Sequence, residues 1–168
     1  MRDPETAMIA MRAALTGHLV MSTTHTRDAV AALARLRDLG VEPYLVASCL
    51  RVVVAQRLIR LLCRRCSVEH QPDREEAAAH GVPAGESFFR STGCDQCEGR
   101  GTRGRSAIFE LLEITPELNA LIIREASEKA LRDQAIESGM RGFRMAALDK
   151  ARAGLISLQE YARITSDG

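Results

Sequence analysis

Apolar residues at Met8, Met11 and Leu15 recur at helical spacing and stop before Gly17, which predicts an amphipathic first helix. Asp3-Pro4-Glu5 supplies its start: Asp3 can accept from free N–H groups, and Pro4 takes the first helical position, where a missing donor does no harm. The next run, "HLVMSTTH" from His18 to His25, is apolar and tolerant of β structure, so it predicts a short buried strand. Thr26 then reads as an N-cap, with Val30, Leu33 and Leu36 as the apolar stripe of a second helix that ends at Gly40. Alternating helix, strand and helix is the grammar of an α/β fold built on a parallel sheet.

Farther along, "EPYLVASCLRVVVAQRLIRLLC" predicts a helix from Pro43 followed by a β-branched strand around Val52 to Ile59. Between Cys63 and Cys97 the pattern turns polar and irregular, with Pro72, Gly81, Pro83 and Gly85 as breakers, and reads as an excursion from the core. "GRSAIFELLEI" predicts a returning strand, and Thr115-Pro116-Glu117 caps the helix that follows. Two more helices are expected, from Ser127 to about Ser138 and from Phe143 to Ala153, stopped by Gly139 and Gly154. "SLQE" predicts a capping box for a last helix, Ser157 pairing with Glu160. The chain shows neither an internal repeat nor a low-complexity segment.

Composition narrows the function classes. A chain of 168 residues is long enough to bury a real core. Its 23 basic and 22 acidic residues leave a formal charge of +1, so no global field argues for nucleic acid or an anionic membrane. Aromatics make up 4% and Trp is absent, which speaks against a base-stacking surface. No apolar run reaches the roughly 20 residues of a membrane span, since Arg51, Arg57 and Arg60 interrupt the greasiest stretch. The N-terminus lacks the regions of a signal peptide, and the expected location is the cytoplasm.

Cysteines give the clearest chemistry. "CRRC" and "CDQC" place Cys63, Cys66, Cys94 and Cys97 as two knuckles, each presenting two thiolates, and together they supply the four soft ligands of a closed tetrahedral zinc site. The long gap between the pairs costs little, because closure entropy grows only logarithmically with loop length. Gly93, Gly99 and Gly101 suit a backbone that curls its N–H groups toward sulfur. The alternatives are disulfides, which a reducing cytoplasm disfavours, or four inert thiols. All four positions filled by sulfur leave no open site for catalysis, so the zinc is structural. Cys49 reads as a buried small hydrophobe. "CDQCEGRG" also matches the cysteine-rich unit of J-domain chaperones, but that family repeats the unit, whereas it occurs once here.

His18 and His25 bracket the predicted strand. Ligands of open α/β sheets bind outside the carboxyl ends of strands, so His25, followed by a helix N-terminus, stands where a phosphate could be met. A lone histidine at a strand end is more often a hydrogen-bonded structural residue.

"RDPETAMIAMRAALTGHLVMSTTHTRDA", "RLRDLGVEPYLVASCLRVVVAQRLIRLLCRRC" and "GCDQCEGRGTRGRSAIFELLEI" together resemble the secretion ATPases of type II secretion and type IV pilus assembly. The resemblance runs in order along essentially the whole chain and includes that family's tetracysteine module. It implies that "TGHLVMSTTHT" is the family's histidine box, with His25 near the γ-phosphate, and that Arg2 and Asp3 are the tail of its Walker B motif. Arg2, Arg35 and Arg105 fall where the family places functional arginines, with Arg105 and His25 as nucleotide contacts. A solvated helix face for Arg35 and a turn for Arg105 are the bland readings. Gln56 and Arg57 fit the family pattern without an assignable chemistry.

The implied fold is the distal half of a RecA-like core over residues 1–62, a tetracysteine zinc module over 63–97, and a returning strand with a small helical subdomain over 98–168. The implied protein is a homo-hexamer that uses ATP and magnesium and meets platform proteins at the cytoplasmic face of the inner membrane. No G-x-x-x-x-G-K-[ST] phosphate loop occurs in the sequence, and the catalytic glutamate of the family falls before Arg2. The chain is therefore expected to be the C-terminal part of such an ATPase, inactive alone. The alternative is a non-catalytic, zinc-containing interaction module.

Overall fold

The structure, a computed structural model, describes residues 1–166. It is an α/β chain that divides into two compact units, one formed by Met1–Ala55 with Glu110–Arg141, the other by Gln56–Phe109 with Gly142 onward.

In the first unit, α1 (Pro4–Leu15) starts as its sequence predicts: the Asp3 carboxylate accepts from Thr6 N–H, and Pro4 takes the first position. Helices α2 (Ala31–Asp38) and α3 (Pro43–Cys49) follow. The unit closes with α5 (Pro116–Ile123), capped by Thr115, and α6 (Glu128–Glu137), capped by Ser127. α3 packs on α1, α2 and α5, and α5 on α6. Their shared core is built from Met11, Leu33, Leu45, Leu112, Leu118 and Leu131 among others. Cys49 is only partly buried at its edge, its thiol 3.5 Å from Met11 O.

Two local expectations fail here. Residues 18–25 form no strand: Leu19 and Met21 are 90% and 88% exposed, because the described residues offer this segment no partner strand. Thr26 does not cap α2 either. Its hydroxyl donates to Asp28 O, and the carboxylate of Asp28 takes the free N–H of Ala31.

Two long strands, β1 (Val52–Leu62) and β4 (Thr102–Glu113), pair with one another and pass through both units. Ile114 N–H donates to Arg51 O, and Cys63 N–H to Gly101 O, so their directions oppose. The parallel sheet expected from the element alternation is thus absent among the described residues.

The second unit holds the stretch between the cysteine pairs, and that stretch is more ordered than its composition suggests. It forms β2 (Ser67–His70), antiparallel to β3 (Phe88–Ser91), with α4 (Arg74–His80) between them. Its second strand contributes Phe88, fully buried. Helices α7 (Phe143–Arg152) and α8 (Leu158–Ser166) pack on each other and on β3. The capping box at Ser157 is half made: Ser157 Oγ accepts from Glu160 N–H, but the Glu160 carboxylate turns instead to Arg60 N–H at 2.8 Å and to Arg163. Arg57 is a stitch in this unit, donating to Ile164 O in the last turn of α8 and lying 4.8 Å over the Phe143 ring. No helix among the described residues is long and apolar enough to cross a membrane.

Candidate functional site

Each cysteine pair closes a tight turn in the same way. Cys66 N–H donates to Cys63 O, and Cys97 N–H to Cys94 O, which brings the two thiols of each pair to one side. The second knuckle is a single turn of 3₁₀ helix, Asp95–Cys97, and it curls tightly because Gly93 has φ +83°. A Cβ there would stand 2.8 Å from Gly99 O. Pairing of Cys63 N–H with Gly101 O, and of Thr92 N–H with Cys66 O, sets one knuckle against the other.

The four sulfurs lie within 4.8 Å of one another. Separations are 3.8 Å for Cys63–Cys94, 3.8 Å for Cys66–Cys97 and 3.7 Å for Cys94–Cys97. A regular tetrahedron of sulfurs around an ion bound at about 2.3 Å has edges of about 3.8 Å, whereas a disulfide would need about 2.05 Å. All five cysteines are free. The cluster could therefore hold one metal ion in an all-thiolate shell.

Its backbone is already arranged for thiolate. Cys94 N–H and Gly101 N–H each donate to Cys97 Sγ at 3.2 Å. Burial works against a charged sulfur at Cys97, but these two N–H groups, with the Cys94 and Cys66 thiols, outweigh it and bring the thiol down to about 7. Burial and the neighbouring thiols push Cys66 the other way, up to about 12. At Cys63 the N–H of Arg65 lowers the thiol despite burial. A cation in the centre favours the thiolate form at all four.

The second group of candidates lies in the other unit. Arg2, just before α1, places a guanidinium nitrogen 3.3 Å from His25 Nε2, and Arg35 on α2 reaches Arg2 O at 3.5 Å. Arg2 thus links the other two, its guanidinium at His25 and its carbonyl at Arg35, with Arg2 and His25 exposed and Arg35 half-buried. A guanidinium can only donate, so in this pairing Nε2 accepts and the imidazole proton sits on Nδ1. His18 differs: its Nδ1 lies 3.2 Å from Ala13 O and 3.0 Å from Thr16 Oγ1, closing the end of α1. Arg105 is exposed on β4 within the other unit.

Sequence reading passed over a set of buried charges in the first unit. Asp28 and Glu110 are 5% and 3% exposed, and Asp28 pairs with Arg132 on α6 at 2.8 Å. One signal was available. Glu110 interrupts the inward row Ile108, Glu110, Leu112 of β4, where alternation calls for an aliphatic side chain.

The likeness of this chain to known proteins agrees with its fold. A family model described as "Type II/IV secretion system protein" matches residues 1–163. The chain is 45% identical over 168 residues to the type II secretion system ATPase E of Vibrio cholerae, which covers 99% of this chain and 33% of that protein. It is 39% identical over 170 residues to the type IV pilus assembly ATPase PilB of Pseudomonas aeruginosa, covering 99% of this chain and 30% of that one. The chain therefore spans about a third of the length of these relatives. Among solved structures, the pilus retraction motor PilT with bound ADP superposes with a TM-score of 0.64 at 22% identity, over 98% of this chain and 37% of that one. The Legionella pneumophila ATPase DotB gives 0.66 at 20% identity, over 100% and 37%. Those two share the fold. With its family model matched from residue 1 to 163, the chain belongs to the type II/IV secretion system protein family.

Proposed function

We propose that this chain is the C-terminal part of a hexameric ATPase that powers type II secretion or type IV pilus assembly, converting ATP hydrolysis into subunit motion. In this reading, residues 1–62 are the distal half of a RecA-like core, 63–97 a zinc module and 98–168 a returning strand with a helical subdomain. The observation that carries it is the meeting of Arg2, His25 and Arg35. Phosphoryl transfer is catalysed chiefly by positioning and by donors aimed at the charge on the transferring group. Two guanidinium groups and an imidazole with its proton on Nδ1 are the donor set that such charge requires. ATP with magnesium would supply the phosphoryl group. Arg2, His25 and Arg35 would hold its terminal phosphate, and Arg105 would contribute a further nucleotide contact.

Zinc is the ion we assign to Cys63, Cys66, Cys94 and Cys97, on the tetrahedral spacing and the all-sulfur shell. It closes the base of the β2–α4–β3 excursion and takes no part in hydrolysis. Platform proteins at the cytoplasmic face of the inner membrane are the partners this function requires.

The test is phosphate release by the complete enzyme carrying His25→Ala or His18→Ala. His25→Ala is expected to lower turnover by about 10²-fold, the scale of losing one oriented donor, and His18→Ala by less than about threefold. Equal and small effects would overturn the assignment of His25.

A further inference from the structure

Burying a carboxylate among aliphatic side chains is unfavourable unless its oxygens are hydrogen-bonded. One oxygen of Glu110 accepts from Ala29 N–H at 3.0 Å, and Ala29 is itself fully buried. Asp28, also buried, accepts from Ala31 N–H at 2.8 Å through one oxygen. Its other oxygen takes Arg132 at 2.8 Å and Arg27 at 3.4 Å. Arg27 in turn bonds Glu128, the first residue of α6. Every residue from Thr26 to Ala29 is thus tied by a side-chain hydrogen bond or ion pair, directly after His25. Before His25, residues 18–24 belong to no helix or strand.

We propose that Glu110 and the Asp28–Arg132 pair are positioning residues for His25, clamping the turn from which its imidazole is presented. The inference rests on the reading of His25 as a phosphate-side donor. It also makes α6 part of the same device, because Arg132 and Glu128 both belong to that helix and both grip the turn. A simple core requirement would have been met by leucine at position 110. What leucine cannot do is accept the Ala29 N–H, and a buried N–H left unpaired favours any backbone arrangement that lets it reach water.

The experiment compares Glu110→Gln, Glu110→Leu and Arg132→Met in the complete enzyme, reading kcat and KM for ATP together with hydrogen exchange at the Ala29 amide and the His25 ring resonances. Glu110→Gln keeps an acceptor and is expected to stay within about threefold of native kcat. Glu110→Leu is expected to lower kcat by about 10–100-fold with KM nearly unchanged, the scale of a misplaced catalytic group, and to speed Ala29 exchange. Arg132→Met, at a side chain 31% exposed, covers the case in which Glu110→Leu does not fold, and should lower kcat by about tenfold. A folded Glu110→Leu or Arg132→Met enzyme with native kcat overturns the proposal, as does unchanged Ala29 exchange in Glu110→Leu. His25→Ala, run alongside, separates the two claims. If it keeps native turnover, the functional reading of His25 falls, and the clamp is then judged on the His25 resonances and Ala29 exchange, which must still change in Glu110→Leu.

Discussion

Removing the carboxylate of Glu160 should cost more stability than any surface ion pair, and by an amount the structure allows to be worked out. Glu160 is 8% exposed on α8, and its carboxylate accepts from Arg60 N–H on β1 at 2.8 Å and from Arg163 at 2.7 and 3.1 Å. Glu160→Ala orphans the strand N–H, at about 1–3 kcal/mol. The Arg163 side chain is 47% exposed and can return to water, so its loss adds only about 0–1 kcal/mol. A total of about 1–4 kcal/mol corresponds to a fall in Tm of roughly 2–16 °C for a chain of this size. Glu160→Gln keeps an acceptor for Arg60 N–H and should lose less than half as much. The pH dependence has a definite sign. Burial alone would raise the Glu160 carboxyl, but the Arg163 and Arg60 hydrogen bonds and charges outweigh it and hold the group below the usual glutamate range. A depressed folded value gives stability that is complete above the unfolded value near 4.5 and is lost as pH falls through the folded one. Urea melts followed by circular dichroism at pH 7 and again below pH 4 measure both. If Glu160→Ala melts within about 0.5 kcal/mol of native, or the native–Gln gap fails to close in acid, the bridge between α8 and β1 is not the anchor described.

The remaining expectations concern metal, packing and activity. Purified chain should carry one zinc by elemental analysis, and Cys97→Ser should lose it and loosen the β2–β3 excursion while α1, α3 and α5 keep their helicity. A metal-free, fully folded chain with four freely titrating thiols at this cluster would refute the site. Gly154→Ala should cost about 2–4 kcal/mol, since φ is +68° and its Cβ would meet the Phe89 ring at 2.8 Å, and thermal denaturation would show it. The 168-residue chain by itself should release no phosphate from ATP above background, because it contains no G-x-x-x-x-G-K-[ST] loop to hold the β- and γ-phosphates. Magnesium-dependent turnover within tenfold of the complete enzyme would place the active site elsewhere.

Local chemistry was legible in the sequence wherever a few neighbouring residues decide the outcome. Asp3 and Thr115 cap their helices as read, because a side-chain oxygen and an N–H three residues on need nothing else to meet. The two Cys-x-x-Cys knuckles were legible for the same reason: each turn is closed by its own backbone, and spacing alone puts both thiols on one side. The gathering of the four sulfurs to within 4.8 Å of one another, the pairing of Arg2 with His25, and the turn of Glu160 from Ser157 to Arg60 depended on contacts between distant segments. Residues 18–25 show the limit most plainly. Their pattern is that of a strand, but a strand exists only where another backbone takes up its N–H and C=O groups, and among the described residues none does. Glu110 shows the converse. Its place in β4 follows from alternation, whereas its bond to Ala29, 81 residues away, is set only when the tertiary structure buries the carboxylate beside the Ala29 N–H.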